Sequence, residues 1–257
     1  MRLGIRTRLS ALAWEMWLPV VVVIACLVVT ADSTSFYFPS FAEIFERTGE
    51  LWFFDGIVEN VVPSLLRILI GFAIALVVGI VGGIVLGLLP RFEQAVRPIL
   101  EFLRATPGVA LMPIAIIFLG IGDTMKIFLI ALASMWPILL NTIDGVRSVE
   151  PVLLRMAASY RLPMKTRIRY IYVPNAAPQI FAGARLALTI ATVVMVVTEM
   201  IGSPGGIGYF ILDSQRSFNI LNMWSGIVVL GVLGYLLNFG ARLVEGRVLD
   251  WHNKKNA

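Results

Sequence analysis

The stretch MAASYRLPMKTRIRYIYVPNAAP, residues 156–178, sets Arg161, Lys165, Arg167 and Arg169 in the midst of a chain that is 58% hydrophobic. Just before and within it, Val149, Val152, Leu153, Met156 and Tyr160 follow an i, i+3, i+4, i+7 pattern, which predicts a helix of about twelve residues with one apolar stripe. Pro163 cannot continue that helix, because its ring clashes with the preceding turn and it has no N–H to donate. It can open another helix as a first-turn residue. A second short helix is therefore expected, with Lys165 and Arg169 on one side and Ile168, Ile171 and Tyr172 on another, ended by Pro174. Two short helices meeting at a corner, apolar and basic at once, raise the question of what surrounds them.

Composition answers that first. Mean hydropathy is +0.87 and only 14% of residues are charged, where soluble domains carry nearer a quarter. Such a chain lives in a bilayer. No hydrophilic block exceeds roughly thirty residues, too few for a separate soluble domain. Crossing the hydrocarbon takes about twenty mostly apolar residues in a helix. Six stretches qualify: residues 14–31, 61–89, 102–121, 127–143, 181–201 and 220–243. Cys26, the single cysteine, reads as a small hydrophobe and permits no disulfide within one chain. Arg2, Arg6 and Arg8 resemble the basic start of a signal peptide, but no small-residue cleavage site follows near Asp32, so a retained helix is expected.

Lys and Arg collect in the N-terminal arm, residues 90–101, residues 144–178 and the C-terminal tail. The alternate loops set Asp32, Glu43, Glu46, Glu50, Asp55 and Glu59 against Arg47, then pair Asp123 with Lys126 and Asp213 with Arg216. This bias places both termini and residues 144–178 in the cytoplasm, and it accounts for the formal charge of +5 without a nucleic-acid partner. Between the first two spans, Pro39 and Ser40 signal a helix start. Phe41, Ile44, Phe45, Leu51 and Phe54 then give it the apolar face of an interfacial helix. Gly79, Gly83 and Gly87 recur every four residues in the second span, with Gly71, Ala75 and Gly82 nearby, a spacing that lets two helix backbones approach closely. Pro107 and Pro113 interrupt the third, freeing carbonyls that a neighbouring helix or a wet cavity must satisfy.

Chemistry is sparse. His252 is the only histidine and lies in the polar tail, so one chain cannot build a histidine-based metal site, triad or proton relay in the membrane. Lys126, Lys165, Lys254 and Lys255 all lack a preceding glycine, which removes the Gly-Lys-Ser/Thr phosphate loop. No catalytic residue and no metal ligand is assigned. Arg67, Arg185 and Glu199 are ionisable residues within spans. All three lie near span ends, where snorkelling relieves the cost of burial. Ser134, Asn141, Thr142, Thr189, Thr192 and Thr198 are candidates to line a path, the alternative being hydrogen bonds between helices. The basic corner itself has two readings, contact with anionic lipid headgroups or insertion into a cleft on a partner protein.

The residue pattern of the corner favours the partner. Met156-Ala157-Ala158, then Leu162 after three residues, then Val173-Pro174, resembles the cytoplasmic coupling loop of binding-protein-dependent ABC importer permeases. That signature runs Glu-Ala-Ala, three residues, Gly, and later a Leu-Pro or similar pair. FPS at residues 38–40, LLRILIGFAIALVVGIVGGIVLGL from Leu65, PILLNTIDGVRSVEP from Pro137 and VVTEMIGSPGGIGYFILDSQ from Val196 resemble the nitrate, sulfonate and taurine branch of that family. The resemblance spans Phe38 to Leu249. Met156 stands where the family has Glu, so contacts here are expected to be more apolar. Leu162-Pro163 replaces the Gly-containing turn and keeps a chain break by other means.

The chain is thus expected to be an all-α membrane protein of about six transmembrane helices, which the resemblance makes a type I ABC importer permease fold with both termini cytoplasmic. Residues 1–13 form a cytoplasmic arm, 14–31 the first transmembrane helix and 32–60 an extracytoplasmic segment with the interfacial helix. Residues 61–245 form the core transmembrane domain, with the coupling loop at 144–178, and 246–257 the tail. The resemblance further implies a multi-pass permease of the bacterial plasma (inner) membrane, paired with a second permease chain. Two cytosolic ATPase subunits would bind ATP and Mg, an extracytoplasmic binding protein would deliver the solute, and this chain would carry no cofactor. Met156, Ala157, Ala158, Tyr160, Arg161, Leu162, Pro163, Lys165 and Arg169 would meet the ATPase, while residues 202–215 would close the outer mouth or touch the binding protein. An ion-coupled secondary transporter would want intramembrane carboxylates, and only Glu199 qualifies. A lipid-modifying membrane enzyme would want histidines and acidic pairs that are missing.

Overall fold

The structure, a computed structural model, describes residues 17, 21, 23–31, 33, 35–53 and 55–250. The expected arm at 1–13, much of the first expected span, Phe54 and His252 lie outside the described residues. Among the described residues every regular element is helical.

Ser40 starts α1 (Phe41–Trp52) with a reciprocal cap, its hydroxyl accepting from the Glu43 N–H while the Glu43 carboxylate accepts from the Ser40 N–H. Such a cap contributes about 1 kcal/mol. Ile44 and Trp52 are buried and Phe45 is half exposed, as an interfacial helix requires. Trp52 packs edge-on against Phe210 at 4.8 Å and donates its indole N–H to Ser225. A π-turn at Ile57–Val61 then leads into α2 (Val62–Leu88).

The glycine spacing in α2 meets its partner in α5 (Asp123–Arg147). A Cβ on Gly71, Gly79, Gly83 or Gly87 would stand 2.6, 2.8, 2.5 or 2.7 Å from Ile130, Ile138, Thr142 or Val146 respectively. Both series advance in step along the chain, so α2 and α5 run parallel. Two parallel helices in one membrane need a return crossing between them. It is made by α3 (Pro90–Ala105) and α4 (Met112–Leu119), joined through a 3-10 turn at Gly108–Leu111 and bent by 85°. The span expected at 102–121, interrupted by Pro107 and Pro113, is thus broken at Pro107 and takes in all of α3 as well. Pro107 disfavours a helical conformation at Thr106, which caps α3 with extended backbone (ψ 119°). Pro113 breaks nothing, because it occupies the first turn of α4, where no N–H is required.

After α5 come α6 (Pro151–Ser159) and α7 (Met164–Arg167), and a π-turn at Ile168–Tyr172 carries α7 into α8 (Val173–Gly202). The expected separate second helix ending at Pro174 is a further correction. Residues Met164–Ile201 form one continuous helix. The wide turn lets the Val173 N–H reach the Ile168 carbonyl, so Pro174 falls in the first turn of α8, where its missing N–H costs nothing. Gly145 abuts Ala176 and Gly183 abuts Asn141, so α8 runs antiparallel to α5. The chain closes with α9 (Ile207–Arg216) and α10 (Ile220–Val248), whose last residue shares a groove with Val173 and Pro174. Among the described residues four helices are long and apolar enough to cross a membrane, five if the bent pair counts as one crossing.

The α2–α5 seam is testable. Gly83→Ala would place a methyl 2.8 Å from the Leu139 carbonyl oxygen, a backbone atom that cannot step aside. The expected result is a destabilisation of about 1–3 kcal/mol, read as a lower Tm of the detergent-purified protein. Gly49→Ala, with open space around it, should hold or raise Tm, since alanine favours helix by about 1 kcal/mol.

Candidate functional site: the α6 turn and the charge network at the opposite end

α6 is held at both ends. Ser148 donates to the Gly145 carbonyl at the end of α5, and the Asn175 side-chain amide reaches both Gly145 O and Ser148 Oγ, stapling the start of α8 to that corner. At its far end the Leu162 N–H donates to Ala157 O and the Arg161 N–H to Ala158 O. This pair of bonds closes a helix end through a residue in the left-handed region. That residue is Arg161, with φ +51°, one position before the Leu162 that aligns with the family glycine. The backbone break thus belongs to Arg161, and Pro163 caps α7 from outside instead of standing as its first residue. Arg167 completes the turn by donating Nε–H to Leu162 O at 2.8 Å and an Nη–H to Ala157 O at 3.4 Å.

Ala157 is fully buried beneath this turn. Ala158, Pro163, Lys165 and Arg161 are exposed and Leu162 is half-buried. Val152, Met156 and Tyr160 recur every four residues along one exposed face, with Met164 beyond the turn, and Tyr160 is 75% exposed. Arg169 lies over the Tyr170 ring, 5.6 Å from its centroid. An apolar stripe at a basic corner is the surface that the sequence pattern predicts. The roles of Asn175 and Arg167 were not legible there, because both act on backbone carbonyls that only the turn brings within reach.

The opposite end of the same helices holds a second cluster. Arg67 and Glu199, expected to snorkel at span ends, are 7% and 0% exposed and paired. That expectation is corrected: their solvation comes from protein. Arg67 also donates Nε–H to Asp123 at 2.8 Å and an Nη–H to the Gly205 carbonyl at 3.1 Å. Glu199 accepts from the Ser64 hydroxyl at 2.8 Å and from the Gly208 N–H at 3.0 Å. Lys126, expected in a loop, projects from the first turn of α5 with a side chain 1% exposed, and donates to Ser203 at 2.9 Å. Gly206 has φ +116°, and a Cβ there would lie 2.5 Å from the Glu199 carboxyl carbon. Only glycine fits that backbone and that space. Arg185 is 44% exposed and pairs with Glu245 at 3.3 Å, closer to the expected interfacial behaviour.

The candidate path residues divide. Ser134, Thr142 and Thr198 are fully buried inside the chain, Asn141 and Thr192 are half-buried, and Thr189 is exposed. Thr142, Thr189, Thr192 and Thr198 donate to carbonyls of their own helices, and Asn141 donates to Pro137 O one turn back. None of these five bonds joins two helices. Ser134 Oγ has no hydrogen-bond partner among the described residues. Three or more metal-binding side chains are not gathered anywhere among the described residues.

This geometry agrees with comparison to known proteins. The sequence profile described as "Binding-protein-dependent transport system inner membrane component" matches residues 75–250, and the chain belongs to that family. It is 34% identical over 190 residues to the putative aliphatic sulfonates transport permease protein SsuC of Bacillus subtilis (strain 168), covering 74% of this chain and 69% of that protein. It is 29% identical over 196 residues to the taurine transport system permease protein TauC of Escherichia coli (strain K12), covering 76% and 71%. Its fold matches a chain of the MetNI methionine ABC transporter in an inward-facing conformation, with TM-score 0.65 at 18% identity over 74% of this chain and 94% of the other. The protein is an inner-membrane permease component of an ABC transporter.

Arg167→Ala removes both side-chain bonds to the turn. At about 1 kcal/mol per bond, amides of residues 157–162 should exchange with deuterium roughly ten- to thirty-fold faster while the global Tm moves little. Arg161→Gly should slow exchange in the same turn by relieving about 1 kcal/mol of left-handed strain.

Proposed function

We propose that α6 is the lever through which a separate ATPase drives this permease, and that the permease moves a small anionic solute such as a sulfonate, taurine, nitrate or a related acid. The exposed stripe of Val152, Met156 and Tyr160 on a helix clamped between α5 and α8 carries this reading. A greasy face beside Arg155, Arg161, Lys165 and Arg169 is poorly suited to the hydrocarbon and well suited to a protein groove. Met156 presents a flexible thioether where a carboxylate would demand a charged partner. Tyr160 supplies an aromatic anchor with a polar tip.

In this scheme two copies of the chain form the path, two ATPase subunits bind ATP and Mg, and an extracytoplasmic binding protein supplies the solute. The chain itself is non-catalytic. Closure of the ATPase pair draws the two levers together, and since α5 and α8 leave the clamped corner as continuous helices, they rock as bodies between inward-open and outward-open states. Selectivity is assigned mainly to the binding protein, as the family resemblance implies, and Thr142, Thr192 and Thr198, whose hydroxyl protons go to carbonyls of their own helices, have no O–H left to donate to an anion.

Ala158 tests the docking surface. Ala158→Trp adds bulk on an exposed position beside the stripe and should abolish uptake, with ATPase subunits lost from the complex on purification. Insertion and Tm should be retained. Ala157→Trp, aimed at a fully buried position, should instead fail to fold. Normal uptake by Ala158→Trp would reject the docking surface.

A further inference from the structure

We infer that Glu199 is a positioning residue of the transport cycle: through Arg67, Ser64 and Gly208 it latches the outer loop at residues 203–206 to the helices that carry the lever. The loop between α8 and α9 and the first residues of α9 are held by a series of hydrogen bonds. Gly205 offers its carbonyl to Arg67, Gly206 donates its N–H to Asn60, Ile207 to Ser64 and Gly208 to Glu199. Ser203 receives Lys126 from α5. Every partner outside the loop sits on α5, α8, α2 or the π-turn that opens α2. The loop therefore has no independent position; it goes where those helices go.

The same two helices bear both ends of the device. α5 runs from the Lys126 bond to Ser203 down to the Ser148 corner, and α8 runs from the Asn175 staple up to Glu199. A push at α6 therefore reaches the loop through two continuous helices and not through flexible chain. Ser203 and Pro204 also line a cavity of about 370 Å³ with Tyr209, Asp213 and Arg216, so a shift of the loop reshapes an opening at that end. Glu199 is central because its carboxylate occupies the space a Cβ on Gly206 would fill, and receives charge from α2 and an N–H from α9 at once. A buried pair is weak evidence for stability on its own, but it is well suited to specifying one arrangement of several helices.

This inference rests on the ATP-driven alternation proposed above, and its test separates the two. The complete importer, with its ATPase and binding protein, is reconstituted carrying Pro204→Cys in a Cys26→Ala background. Labelling of the introduced thiol, at an exposed position of the loop, by a membrane-impermeant maleimide is compared without nucleotide and in an ATP-trapped state. In the parent the two rates should differ. Glu199→Gln removes the charge, and Gly206→Ala expels the carboxylate sterically while leaving every charge in place, so one variant serves if the other fails to fold. Both should label at the same rate in the two states, lose stimulation of ATP hydrolysis by the binding protein, and lower uptake roughly tenfold, within the range of ordinary coupling energies. A merely structural role would reduce activity in proportion to folded protein and leave the nucleotide response intact, and that result overturns the latch while sparing alternation. A parent whose thiol labels at one rate regardless of nucleotide overturns both.

Discussion

The close approach of α2 to α5 is the constraint from which the rest follows. Lipid provides no hydrophobic drive for two apolar helices to associate, so contact must come from shape. Gly71, Gly79, Gly83 and Gly87 remove the side chains that would hold the backbones apart, and Ile130, Ile138, Thr142 and Val146 fill the grooves so made. Because both series advance in the same direction, the helices are parallel, and parallel neighbours require the chain to cross back between them. The bent α3–α4 pair is therefore a consequence of the glycine seam, with Pro107 deciding where the bend falls.

With α5 fixed against α2 on one side and antiparallel α8 on the other, the two ends of the α5–α8 pair acquire different chemistry. At one end the helices are joined by α6, a short amphipathic helix whose backbone is tied down by Asn175, Arg167 and the left-handed Arg161. At the other they are joined to the α8–α9 loop by charge, with Arg67, Lys126 and Glu199 buried and the exposed Asp123 carboxylate pairing with Arg67 and Lys126 at the edge. The first end exposes an apolar surface and the second conceals a polar one. An exposed apolar turn at one end and a bonded loop at the other are thus joined by two continuous helices, α5 and α8, with no flexible chain between.

Several elements were legible from residue order alone because their causes are local. Pro39 and Ser40 announce α1, since an N-cap acts within a few residues, although the reciprocal bond to the Glu43 carboxylate is seen only in the structure. The stripe of Val152, Met156 and Tyr160 follows from helical periodicity. Pro107 breaks α3 through its own ring. Where local reasoning went astray, a longer reach was at work. Pro174 reads as a stop, yet a π-turn upstream shifts the register so that it becomes a harmless first-turn residue. Arg67 and Glu199 read as snorkelling groups because the two lie 132 residues apart in the chain. Thr142 and Thr198 read as bridges between helices, but a threonine hydroxyl finds its own carbonyl one turn back more readily than a neighbour's.

Sequence by itself determined that this chain is a helical membrane protein, where most of its long apolar helices lie, and which short segment presents an apolar stripe beside basic residues, because hydropathy, periodicity and capping act within a few residues. Tertiary structure alone decided the pairing of Arg67 with Glu199, the glycine at 206 that leaves room for that carboxylate, and the staple of Asn175 on the α5–α6 corner. Those depend on groups from separate helices meeting in three dimensions, and no local pattern records the distance between them.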